Sequence, residues 1–148
     1  MRTGYQPITP YLICRDASRA IDFYEKHFNA QEIYRLESPD GKIMHSELDF
    51  QNCRIMISDE FEQMGIKSPL SYNGTPVSIN IYVDDIDTTF NNMISDGCKT
   101  LTQIENQFHG DRSGKLQDPF GHIWHIASNL EDVGTEEIKR RFNEMMKG

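Results

Sequence analysis

One arrangement occurs twice in this chain, and it constrains the fold more than any other feature. Residues 8–14 (ITPYLIC) form an apolar run of strand length. Asp16, a helix-capping residue, follows, and then the helically spaced Ala20, Ile21, Tyr24 and Phe28, with Asn29 at the end. Three more strand-like runs come next, at 31–37, 43–50 and 54–58. The turn signals Pro39-Asp40-Gly41 and Gln51-Asn52 separate them. The order then restarts. Residues 77–83 (VSINIYV) mirror 8–14, and Asp85 takes the place of Asp16. A helix over 86–95 has Phe90, Met93 and Ile94 as its apolar side and closes at Gly97. Runs at 99–104, 115–117 and 123–127 supply three further strands. Aligning Asp16 on Asp85 sets Thr9 on Ser78, Tyr11 on Asn80 and Met56 on His125.

The expected fold class is therefore α+β, one domain over 1–148 made of two βαβββ modules. Module 1 covers about 5–60, a polar linker 61–74, and module 2 about 75–128. A chain of 148 residues is long enough to bury a sizeable core in this way. Residues 1–6 read as a loose arm. The C-terminal stretch reads as an amphipathic helix over about 135–146. Its apolar stripe (Ile138, Phe142, Met145, Met146) is expected to pack on the domain or across a dimer interface.

The second module closes on GDRSGKLQDPFGHIWHIAS, residues 110–128. Gly110 and Gly114 bracket a polar turn, and Asp118-Pro119-Phe120-Gly121 is a tight turn, so the segment reads as a hairpin. Its last strand puts Ile123, His125 and Ala127 on one face and His122, Trp124 and Ile126 on the other. This hairpin resembles that of the vicinal oxygen chelate superfamily, which includes glyoxalases, extradiol dioxygenases, and fosfomycin- and bleomycin-resistance proteins. GDRSGKLQDPFGHIW is most similar to the PhnB-like branch. The resemblance implies an incomplete barrel around a cleft, a homodimer and a small-molecule ligand.

It also implies metal ligands, His and Glu, at four matched positions. Here those positions hold Thr9, Met56, Ser78 and His125. Only His125 is a strong ligand; two hydroxyls and a thioether suit Mg, Mn or Zn poorly. The expected function is thus binding of a small organic molecule without the usual metal, by Thr9, Tyr11, Met56, Ser78, Asn80, Tyr82 and Arg112. The alternative is a metal-dependent lyase or oxygenase with a relocated divalent-metal site at His45, Glu47 and His125. A third reading is a metal-free enzyme with His45 or His125 as general base. Against these stands the plain reading that His45, Glu47 and Asp49 are the solvated face of a half-buried strand. For Arg112 the plain reading is a local ion pair with Asp111.

A formal net charge of −8, without basic runs, argues against nucleic acid or an anionic membrane as partner. No window reaches the length of a signal-peptide core or a membrane span. Cys14, Cys53 and Cys98 are odd in number and lack CxxC spacing. They read as buried thiols of a reducing cytoplasm.

Overall fold

Asp16 and Asp85 do cap helices. In the computed structural model, which describes residues 2–148, Asp16 Oδ1 accepts from the Arg19 amide at 3.1 Å and Asp85 Oδ1 from the Thr88 amide at 3.1 Å. The chain divides into two compact units. One runs up to Pro76 and takes in Phe120–His122; the other comprises Val77–Pro119 and Ile123–Gly148.

The first unit holds β1 (Tyr11–Cys14), α1 (Ala17–Phe28), β2 (Gln31–Glu37), β3 (Ile43–Phe50) and β4 (Cys53–Asp59), with sheet order β1-β4-β3-β2. β1 pairs with β4 in parallel and the other pairs are antiparallel. A parallel pair needs a long crossover, which α1 and the β2–β3 hairpin provide. Gln51 and Asn52, both at positive φ, turn β3 tightly into β4. Ala20, Ile21, Tyr24 and Phe28 are buried, and the Tyr24 and Phe28 rings pack on Phe50 of β3. Phe120 completes this aromatic core against Phe23 and Tyr24. The stretch after β4 is not a plain linker. It contains a 3-10 turn (Glu62–Met64), a bridge between Phe61 and Ile66, and the short helix α2 (Pro69–Tyr72). The Glu60 carboxylate ties it down, accepting from the Ser68 amide at 2.7 Å and the Ser71 hydroxyl at 2.5 Å.

The second unit repeats the plan with β5 (Ser78–Tyr82), α3 (Ile86–Ser95), β6 (Lys99–Asn106), β7 (Asp111–Gln117) and β8 (Ile123–Asn129). The sheet order is β5-β8-β7-β6, and β5 is parallel to β8. The C-terminal helix is α4 (Thr135–Lys147). The strand registers confirm the repeat alignment: Tyr11 lies opposite Met56, and Asn80 opposite His125. A matched pair of side chains also joins the last strand to the helix in each unit. Asp59 Oδ1 accepts from the Ala17 amide at 2.8 Å, and Ser128 Oγ from the Ile86 amide at 3.1 Å. These amides open α1 and α3, where backbone donors lack a partner within the helix. Among the described residues no helix is long and apolar enough to cross a membrane.

Several local expectations are corrected. Ile8 is 83% exposed and lies outside β1, which begins only at Tyr11 because Pro7 and Pro10 cannot donate to a ladder. Residues 5–6 are anchored, not loose: the Gln6 side chain exchanges hydrogen bonds with the Arg54 backbone at 2.6 and 3.0 Å. Residues 111–114 belong to β7 and are not a turn. Gly114 is needed for space, since a methyl group there would lie 2.8 Å from the Phe90 ring. Ile94 is exposed, and Ile86 takes its place on the buried side of α3. Cys53 is exposed, while Cys14 and Cys98 are buried as expected.

Asp59 also accepts from the Ile43 amide through Oδ2 at 2.7 Å. Asp59→Ala therefore strands two buried donors and should cost roughly 2–5 kcal/mol in urea denaturation. Ser128→Ala, which strands one amide, should cost roughly 1–3 kcal/mol on the same measure.

Candidate functional site

Glu47 sits on the face of β3 that alternation assigns to His45 and Asp49, and that face is not solvated: Glu47 is fully buried. Its carboxylate has four donors. Tyr5 Oη (2.5 Å) and Arg54 Nη1 (2.7 Å) reach Oε2; Tyr34 Oη (2.9 Å) and His45 Nε2 (3.2 Å) reach Oε1. Burial pushes this carboxyl up, but the four hydrogen bonds outweigh burial and hold it at about 2. Glu47 is therefore a buried carboxylate that stays ionised. That fixes the tautomer of His45. Nε2 must carry the proton to donate to Glu47, so in the neutral ring Nδ1 is an acceptor. Nδ1 lies 2.7 Å from Tyr11 Oη, which donates to it. Burial raises the Tyr11 phenol above its ordinary value, with the Ser58 hydroxyl opposing and the Glu47 charge adding to the rise. The phenol keeps its proton at neutral pH.

Tyr11 links this buried chain to open space. A cavity of about 440 Å³ is walled by Tyr11, Ile13, Met44, Ser58, Phe61, Met64, Ile66, Lys67 and Tyr72. A second recess of about 420 Å³ shares Tyr11, Ile13, Lys67 and Tyr72 with it and reaches His122. Together they form a trough along β1, whose far wall is the segment clasped by Glu60. Its lining is mainly apolar, with the phenols of Tyr11 and Tyr72, the Ser58 hydroxyl and the Lys67 ammonium as its polar groups. Sequence reasoning missed most of this wall. Residues 59–75 are polar and irregular, so no periodicity marked Phe61, Met64, Ile66 or Tyr72 as facing anything. Tyr5, Tyr34 and Arg54 were missed because they reach Glu47 from three different segments.

In the second unit, Asn80 Oδ1 accepts from His125 Nδ1 at 2.5 Å. His125 lines a small polar recess of about 210 Å³ with Thr102, Gln107, His109, Ser113 and Lys115. Burial lowers its pKa, and the charges of Lys115 and His109 lower it further, against a weaker pull from Asp111. Tyr82 donates to Asp111 Oδ2 at 2.8 Å and Asn129 Nδ2 to Oδ1 at 2.9 Å. Asp111 is thus not the partner of Arg112, which corrects the expected local ion pair. Arg112 instead makes a forked contact with Asp87 (2.8 and 3.0 Å) and a bond to Asn106 Oδ1.

The expected site residues fall into pairs within units. Tyr11 and Met56 are register neighbours in the first unit; Asn80 and His125 are register neighbours in the second. Thr9 lies before β1, and its hydroxyl is directed to the Gln6 carbonyl at 3.4 Å. Ser78 opens β5, exposed and opposite Ile123. The four positions expected to hold metal ligands thus carry two hydroxyls, a thioether and one imidazole, donors that do not fit a hard divalent ion. Within either unit, among the described residues, no three His, Cys, Asp or Glu side chains are grouped to hold a metal. Glu47 has two oxygens with four lone-pair positions, and its four donors take all of them.

The folded Glu47 carboxyl lies at about 2 against an ordinary 4.5, so its stabilisation is fully present above about pH 4.5 and is lost as pH falls towards 2. Glu47→Gln should remove that acid-side limb, so that the stability difference from the parent protein shrinks across this window. Urea melts at several pH values measure it, and a difference that stays constant over the window counts against an ionised buried Glu47.

A family model described as Glyoxalase/Bleomycin resistance protein/Dioxygenase superfamily matches residues 6–126. An uncharacterized protein of Mycobacterium bovis is 41% identical over 135 residues, 89% of each chain. Among solved structures, a PhnB protein from Bacillus cereus is similar at a TM-score of 0.66 and 18% identity, over 83% of this chain and 99% of its own. The fosfomycin resistance protein FosX from Listeria monocytogenes, in complex with Mn(II) and sulfate, is similar at 0.64 and 17%, over 96% and 99%. At such identities the two structures speak to fold alone. The family match, by contrast, runs through both repeated modules, and on that match the chain belongs to the glyoxalase/bleomycin resistance protein/dioxygenase superfamily.

Proposed function

We propose that this chain binds a small, largely apolar organic molecule in the trough beside Tyr11, and does so without a divalent metal. The observation that carries the reading is the lining of that cavity. A volume of about 440 Å³, faced by Ile13, Met44, Phe61, Met64 and Ile66 with a few polar groups, suits a compact organic ligand. Tyr11 and Ser58 offer hydroxyls, and Lys67 offers a positive charge for a carboxylate or sulfonate at one end. Fixed polar groups among apolar walls give orientation without a metal to supply it.

The metal-free part rests on donor chemistry. FosX is a manganese complex, but Thr9, Met56, Ser78 and His125 give this chain one imidazole where such a site needs several hard donors. The alternative centre at His45, Glu47 and His125 would need Glu47 to release donors that hold it buried and ionised. Binding and not catalysis is the first reading, with a homodimer as the working assembly, since Phe142, Met145 and Met146 leave an apolar stripe on α4 exposed. A reducing cytoplasm fits the three unbridged cysteines.

Protein purified without a histidine tag should carry far less than one metal per chain by elemental analysis, and His125→Ala should change nothing. Stoichiometric zinc, nickel, manganese or iron that vanishes in His125→Ala would overturn this reading. Anilinonaphthalene sulfonate, an apolar fluorescent anion, should bind in the trough. Lys67→Ala and Tyr72→Ala should each weaken it roughly fivefold, about 1 kcal/mol. Equal affinity in parent and variants places the dye elsewhere and counts against the trough.

A further inference from the structure

We propose that Glu47, His45 and Tyr11 form a proton relay that makes the trough a general-base site, with Tyr11 as the residue that meets the ligand. This deepens the binding reading and rests on the trough being the ligand site. Three side chains stand in line from a fully buried carboxylate, through a mostly buried imidazole, to a phenol that is 46% exposed and faces the cavity. Each link has its direction fixed: Nε2–H of His45 donates to Glu47 at 3.2 Å, and Tyr11 Oη–H donates to His45 Nδ1 at 2.7 Å.

A structural role for Glu47 accounts for Tyr5, Tyr34 and Arg54, which knit the N-terminal residues, β2 and β4 to β3. It does not account for His45, whose second nitrogen is aimed at the Tyr11 hydroxyl on the wall that both cavities share. The remaining charged group on the cavity wall is Lys67, placed to favour an anion forming in the trough. All these residues belong to the first unit.

The step balances without a cofactor. An acidic proton of the ligand passes to Tyr11 Oη as the phenolic proton passes to His45 Nδ1. The ligand leaves as its conjugate base, and the imidazolium formed is held by the ionised Glu47. The proton then returns to solvent through Tyr11. The substrate class is a compact apolar compound with one acidic C–H or O–H next to an electron-withdrawing group. Tyr11 is the catalytic residue; His45 and Glu47 act through it.

The probe is nitrobenzisoxazole, whose base-promoted ring opening needs neither metal nor oxidant. A base takes the ring C–H proton, the N–O bond breaks with its electron pair going to oxygen, and a coloured cyanonitrophenolate forms. Its size and apolar character match the trough. Probe affinity is measured by displacement of anilinonaphthalene sulfonate, and ring opening by absorbance. The parent protein should exceed free imidazole at equal concentration by roughly a hundredfold. His45→Gln should lose at least about tenfold of that rate with probe affinity retained, and Tyr11→Phe should lose at least about tenfold of the rate at saturating probe. Probe that binds but opens no faster than with imidazole, or equally fast in both variants, overturns the relay and leaves the binding reading standing. Probe that does not displace the dye overturns both.

Discussion

Each unit depends on closing its first strand against its last. β1 meets β4, and β5 meets β8, only after the chain has passed through a helix and an antiparallel hairpin. Such parallel closure is non-local and entropically costly, so it needs an anchor at the point where strand, helix and sheet meet. Asp59 and Ser128 are those anchors: each sits at the end of the last strand and takes the first amide of the helix. Without them the closing strands would leave buried amides unpaired just where the helices begin. Register follows from this closure. It sets Tyr11 beside Met56 and Asn80 beside His125, so the candidate residues are placed by the backbone before any ligand is considered.

The two units use the same scaffold for different chemistry. In the first, the third strand supplies Glu47 and His45, and four side chains from other segments, Tyr5, Tyr11, Tyr34 and Arg54, complete one network around the ionised carboxylate that ends on a phenol. In the second, the residue opposite His125 is Lys115, and the recess there is small and basic. Met56 occupies the position opposite Glu47 that His125 occupies opposite Lys115. A duplicated fold thus carries an apolar trough on one copy and a polar pocket on the other. The difference arises from a handful of side chains, with the strand order unchanged.

The trough also shows why a clasp matters. Residues 60–72 have few strand or helix bonds of their own, and the Glu60 carboxylate replaces them with bonds to the Ser68 amide and the Ser71 hydroxyl. These hold its carboxyl at about 2 against the opposing effect of burial, so the clasp stays charged across the physiological range. An irregular segment becomes a wall, and Phe61, Met64 and Ile66 become a surface.

The sequence alone determined the α+β class, the doubled module, both capping aspartates and most element bounds; β2, β3 and α3 match to the residue. Those features are written in local codes, caps, turn residues and periodicities of two or 3.6, and local codes are legible in order along the chain. The start of β1 was misread because the apolar run 8–14 outweighed its prolines, which end the ladder at Tyr11, and the length of β7 because Gly110 and Gly114 signal a turn that the neighbouring strands override. The site was legible only in fragments. His45, Glu47, Tyr11 and His125 were visible as candidates, but alternation could say only that His45 and Glu47 share a face. Whether that face meets water or a buried network was decided by Tyr5, Tyr34 and Arg54, which arrive from elsewhere in the sequence. Burial and hydrogen-bond saturation are properties of packing, and no spacing within one strand encodes them.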